Sequence, residues 1–132
     1  MNTFWDTSAV VALLLQEPET QSAQSAWSKT TRAWAWRWMI IETEAALARR
    51  KAPPVAWSQW ATMLESFTVL DLESSQWDSL RAFNRALRLR AADAGHLFVF
   101  ERASTIIPEL QMVCFDQDMT AAARDIGLAV LK

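Results

Sequence analysis

Asp6, Glu42, Asp93 and Asp116 are scattered over nearly the whole 132-residue chain, yet each stands beside apolar residues where a strand should end or a helix should begin. Asp6 follows Thr3-Phe4-Trp5, and Asp116 follows Met112-Val113-Cys114-Phe115, at the mouths of what read as buried strands. Acids that serve solubility lie instead on outer helix faces. The placement points to one carboxylate cluster that binds a divalent metal. Hard oxygen ligands suit Mg²⁺ or Mn²⁺, which keep several waters and take a few carboxylates together with substrate phosphate oxygens. Such a cluster is strained when empty, since two carboxylates about 4 Å apart repel by ~4 kcal/mol at an effective dielectric of about 20. Taken singly, Asp6, Asp93 and Asp116 read as helix caps and Glu42 as a solvated helix acid. The set carries the inference, not any one member.

Glu42 and Glu44 compete for one place. Two residues apart on a helix means about 200° of rotation, so both cannot point into one crevice. Glu42 lies beside Ile41 and in the row of Ala45 and Ala46, whose small side chains let a helix approach a sheet closely, and it is the one chosen. Arg81, Arg85 and Arg88 follow helical spacing just ahead of Asp93, a basic flank able to grip RNA phosphates through bidentate contacts, or simply a solvated face. Arg49, two turns beyond Glu42, is a second candidate for steering phosphate. A nucleophilic triad of Ser8, His96 and Asp93 is set aside, because Ser8 has no nucleophile-elbow glycines around it. Cys114, inside an apolar stretch, reads as an inert core thiol and His96 as a packing or hydrogen-bonding residue.

The totals remove other chemistries. A net charge of −2 gives no general attraction for phosphate backbones, so nucleic-acid contact must use local arginines or metal. One Cys and one His build neither an internal disulfide nor the usual zinc cage, and a reducing cytoplasm is the natural compartment. Two glycines, Gly95 and Gly127, assemble neither a phosphate-cradling loop nor a dinucleotide fingerprint. The longest apolar run, Ala9 to Leu15, falls far short of the ~20 residues that span a bilayer, so no signal or membrane anchor is expected.

The elements that must position the acids alternate. A strand at 2–5 leads through Asp6 into a helix at 9–15, with a second helix at 19–29 after Pro18 and a strand at 32–36. A helix at 38–50 carries Glu42, and Pro53-Pro54 opens another to about Phe67 ahead of a strand at 68–70. Ser74 or Ser75 should cap the next helix, on which Trp77, Leu80, Asn84 and Leu87 form one stripe, and Asp93 should open a helix to about Arg102. A strand at 112–115, a helix at 119–126 closed by Gly127, and a last strand at 128–131 complete the chain. This alternation predicts one α/β domain over residues 1–132, its parallel sheet of four to five strands covered on both faces. Ligands of such sheets bind beyond the carboxyl ends of the strands, where Asp6 and Asp116 fall.

At these residues the chain resembles the PIN-domain nucleases, most of all the VapC-type toxins of prokaryotic toxin–antitoxin pairs. The resemblance rests on Asp6-Thr7-Ser8-Ala9, Glu42 in ETEAALARR, Asp93 in LRAADAGHL and Asp116 in FDQDMTAAARDIGL, and it covers residues 3–131. It implies a three-layer α/β/α fold and a Mg²⁺- or Mn²⁺-dependent endoribonuclease that cuts tRNA or another structured RNA to 5′-phosphate and 3′-hydroxyl ends. It further implies the toxin of a type II system, held inactive by a small antitoxin protein and often a homodimer. The family's acidic set falls on Asp6, Glu42, Asp93 and Asp116, a supporting hydroxyl on Ser8 and a further acid on Asp118. The chain departs from the common pattern at Cys114, at Arg88, which stands about where a turn glycine is common, and at Gly95, where a larger apolar residue is usual. Two rival readings are a non-catalytic PIN-like module that binds RNA or protein, and a Mg²⁺-dependent phosphohydrolase of small esters. The second lacks the paired acids at the first strand that a phosphoaspartate mechanism uses. The eight tryptophans could stack bases, or could pack in the core or, at Trp27, Trp57 and Trp60, against a partner.

Overall fold

A computed structural model describes residues 1–131. Strand β1 (Asn2–Trp5) runs through Asp6 into helix α1 (Thr7–Leu14), followed by α2 (Thr20–Lys29), β2 (Arg32–Trp36), α3 (Trp38–Arg49), α4 (Pro54–Ser66) and β3 (Phe67–Leu70). After a 3₁₀ turn at Ser74–Gln76 come α5 (Trp77–Leu87), α6 (Ala91–Ser104), β4 (Gln111–Val113) and α7 (Gln117–Asp125). The sheet order is β3-β2-β1-β4, and every pairing is parallel, with Phe4 opposite both Trp34 and Met112. The expected parallel α/β/α architecture is therefore what the chain adopts.

The pleat sorts the side chains into two cores. Trp5, Ala33, Ala35, Phe67 and Val113 pack with residues of α1 to α4, whereas Phe4, Trp36, Met112 and Cys114 pack with residues of α6 and α7. Side chains alternating along a strand point to opposite faces, so a sheet buried on both sides reads as apolar throughout. Phe4 and Trp5 are both fully buried, each worth about 1.5–3 kcal/mol or more of transfer free energy. Because the strands are parallel, their carboxyl ends share one edge, and the residues that follow β1 and β4 meet there.

Several boundaries differ from the sequence reading. Asp6 is the N-cap of α1, so that helix begins at Thr7 rather than Ala9. Asp93 does not open its helix: Arg90 is the extended cap residue, and Asp93 sits in the first turn. Neither Ser74 nor Ser75 caps α5. Glu73 instead forms a reciprocal capping box with Gln76, which makes a 3₁₀ turn that feeds directly into α5. The strand expected at 128–131 shrinks to a single bridge between Val130 and Met112. Trp60 and Trp27 belong to the core, where Trp27 meets Trp5 edge-on at 5.3 Å, so of the three proposed surface tryptophans only Trp57 is exposed. Among the described residues no helix is long and apolar enough to cross a membrane.

Candidate active site

Asp6 leaves β1 with its carboxylate turned back over the start of α1. Its Oδ1 accepts from the Ala9 amide at 3.2 Å, which caps the helix, and the Ser8 hydroxyl donates to Oδ1 at 2.8 Å. The same Ser8 oxygen accepts from the Phe115 amide at 3.0 Å. One hydroxyl thus ties the end of β1 to the segment that delivers Asp116. Burial pushes the Asp6 carboxyl above the usual carboxylate range, and His96, Ser8 and Ala9 oppose that rise without cancelling it.

Glu42 projects from α3 toward α1 and α6. Its Oε1 lies 2.8 Å from the Thr7 hydroxyl and 2.6 Å from Nε2 of His96. Burial acts to raise its carboxyl, yet the His96 hydrogen bond and charge, with Thr7, outweigh that and hold it below the usual range. Glu44, two residues on, accepts from the Trp60 indole at 2.9 Å on the other side of α3. The two acids thus face different neighbours, as the rotation between them requires.

Asp93, half-buried in the first turn of α6, is pushed up by burial, next by the neighbouring Asp116, and further by Asp6 and Glu42, with His96 alone opposing. Three other carboxylates, borne by separate elements, thus act on this one group. Asp116 caps α7, its Oδ1 accepting from the Met119 amide at 2.9 Å. Behind it, the Cys114 thiol lies 3.7 Å from the Asp116 carbonyl, and burial raises it well above the usual thiol range. It is a packing group, not a nucleophile.

An open cleft of about 520 Å³ runs along the Asp93 and Asp116 side, where Asp118 and Asp125 share the wall with Arg88 and Arg90. Asp125 and Arg90 were missed by the sequence reading, and helix periodicity from Asp118 (Asp118, Ala121, Ala122, Asp125) was the signal available. The arginines do not form the single flank expected. Arg88 ends α5 in a left-handed conformation (φ 58°), so it leaves the helical row and enters the cleft. Arg81 pairs with exposed Asp78 and lines a different cavity, Arg85 lies exposed on α5, and Arg49 lies exposed at the far end of α3.

Among the described residues, no three carboxylate, imidazole or thiol groups converge closely enough to grip one ion as they stand. Ser8 and Ala9 hold Asp6 aside, and His96 and Thr7 hold Glu42. The donors nevertheless suit a divalent cation. All are oxygens of hard character, and the crowding recorded at Asp93 is a concentration of negative charge that a cation would relieve.

The PIN domain profile matches residues 3–125, and the chain belongs to that family. The resemblance read from its acidic motifs is thereby borne out. Among solved structures, the fold is similar to that of VapC20 from Mycobacterium tuberculosis, described as a sarcin–ricin loop cleaving toxin, with a TM-score of 0.75, 21% identity and 99% of each chain covered. It is also similar to PAE2754 from Pyrobaculum aerophilum, with a TM-score of 0.66, 22% identity, and 92% of this chain and 84% of that one covered. No protein with curated function matches in sequence.

Proposed function

We propose that this chain is a divalent-metal-dependent endoribonuclease, the toxin of a type II toxin–antitoxin pair. What supports the proposal is that Asp116, Asp6 and Glu42, from three other elements, each act electrostatically on Asp93 in a PIN-family chain whose β1 and β4 deliver Asp6 and Asp116 to one edge of a parallel sheet. Asp6, Glu42, Asp93 and Asp116 would hold one or two Mg²⁺ or Mn²⁺ ions, with Asp118 at the rim. Bound there, the metal supplies an activated water and neutralises charge on the phosphate.

The chain's own residues do the rest. Ser8 fixes the Asp6 carboxylate against rotation, and Thr7 with His96 fixes Glu42. Arg88 and Arg90 flank the cleft and bind phosphates on either side of the scissile bond, where guanidinium forks hold a strand in register. A structured RNA is the expected substrate, since similarity to VapC20 suggests testing the sarcin–ricin loop beside tRNAs. A small antitoxin protein, a homodimer and a cytoplasmic location complete the reading.

A hairpin of the sarcin–ricin sequence and a tRNA panel, incubated with Mn²⁺, with Mg²⁺ or with chelator, tests this. Cleavage by the wild-type chain that chelator, D6N and D93N each abolish is the expected result. Full activity of either variant removes that residue from the mechanism, and no cleavage of any RNA by the wild type sinks the reading. One observation favours a second reading, a non-catalytic module that binds RNA or protein: Glu42 is already engaged by His96 and Thr7. Metal binding without turnover would support it.

A further inference from the structure

Trp36, Trp38 and Trp77 surround a cavity of about 410 Å³ that Leu80, Asn84 and Arg81 also line. We infer that this cavity is a nucleobase subsite, which takes an unstacked base of the RNA next to the scissile bond. The inference rests on the ribonuclease reading and adds to it where one base is held.

Four observations converge. First, Trp38 and Trp77 are 45% and 50% exposed, and both face this one space, whose volume lies in the usual range of about 300–1,000 Å³ for small-ligand sites. Trp36 stacks on Trp38 with ring centres 6.1 Å apart and planes inclined by 29°, which fixes an aromatic platform. Second, the cavity lies beside the acidic site. Its wall includes Ala91 and Ala92, the residues just before Asp93, and Trp36 meets His96 edge-on at 5.1 Å while His96 holds Glu42. Third, the one charged residue in the lining is Arg81, paired with exposed Asp78 at 3.1 Å, so the pocket is near-neutral and aromatic and suits an uncharged ring. Fourth, Asn84 brings the one side-chain amide in the lining. An amide beside an aromatic platform is suited to reading a base edge through a donor and an acceptor together. A base offers the flat face that the tryptophans stack and an edge that pairs with an amide.

The test labels the tryptophan indoles with ¹⁵N, assigns Trp38 and Trp77 with W38F and W77F, and titrates the wild-type chain with AMP, CMP, GMP and UMP, and with inorganic phosphate. The expected result is that the Trp38 and Trp77 signals move with at least one nucleotide and not with phosphate. N84A should then flatten the preference among the four bases, and W77A should cut RNA kcat/KM roughly tenfold or more without altering oligomeric state. Signals that stay put with every nucleotide overturn the subsite. So do signals that move only with protein concentration, which would mark the face as a contact between copies, and so does a W77A chain that cleaves as the wild type does. Nucleotide binding without RNA cleavage by the wild type would instead keep the cavity and sink the nuclease reading.

Discussion

His96 Nε2 lies 2.6 Å from Glu42 Oε1, joining α6 to α3 from a position only 1% exposed. The contact holds in place a carboxylate whose charge also bears on Asp93. It also gives His96, the sole histidine, a positioning role in the candidate site.

His96→Ala should therefore destabilise the chain at neutral pH, by about 1–3 kcal/mol for the loss of a charge-assisted bond to a partly buried carboxylate. Because the Glu42 carboxyl is held below its ordinary range in the fold, the contribution of the contact is fully present above the unfolded-state value. It fades as pH falls through the lower, folded one. Urea unfolding of both chains between neutral and acid pH checks this. A gap that does not narrow in acid would show that His96 acts by packing alone.

Asp93→Asn should have the opposite effect on stability. The folded carboxyl is raised, so the ionised form is disfavoured above that value, and the penalty disappears as pH falls toward the unfolded value of about 3.9. The variant should melt higher than the wild type at pH 7, equal it in acid, and cleave no RNA. A lower melting point at pH 7 would mean that Asp93 is stabilising as a helix-terminal charge rather than strained by its neighbours.

Mn²⁺ should raise the melting temperature of the wild-type chain, since a ligand at a hundred times its Kd adds about 2.7 kcal/mol. D6N and D93N should each remove most of that shift. Calorimetry with and without chelator measures it, and a wild-type chain that Mn²⁺ leaves unmoved would count against a metal site at these acids.

Arg88 occupies a left-handed conformation that costs an ordinary side chain about 1–2 kcal/mol. Arg88→Gly should accordingly leave the fold as stable or firmer, while RNA binding weakens through the lost cation in the cleft. If binding measured by anisotropy is unchanged, Arg88 is a turn residue and nothing more.

Much of this was legible in the residues. Asp6 and Asp116 were readable because a parallel sheet gathers all its carboxyl ends on one edge, and the rotation between Glu42 and Glu44 decided which acid turned inward. The partnership of His96 with Glu42 was not legible: the two are 54 residues apart and no periodicity links them. The start of α6 was misplaced because Asp93 has a capping side chain, whereas Arg90 takes the cap position through its extended backbone alone. The final strand failed because apolar Leu128 to Leu131 marks burial against β4 as readily as pairing, and only Val130 bridges it. Arg88 was read as continuing a helical row. A backbone that turns left-handed there sends its side chain elsewhere, and only its place at a usual glycine position hinted at that.

Gly95 has the six-membered ring of Trp36 where a β-carbon would stand, with the nearest ring atom 2.3 Å from that point. The two positions are therefore bound to change together. A relative with a side chain on α6 at this place must carry a smaller residue at the end of β2, and with it would go the platform on which Trp38 rests. Chains of this family with a bulkier residue at this place should lack the stacked tryptophan pair beside their acids, so the glycine tells which members can carry this aromatic platform.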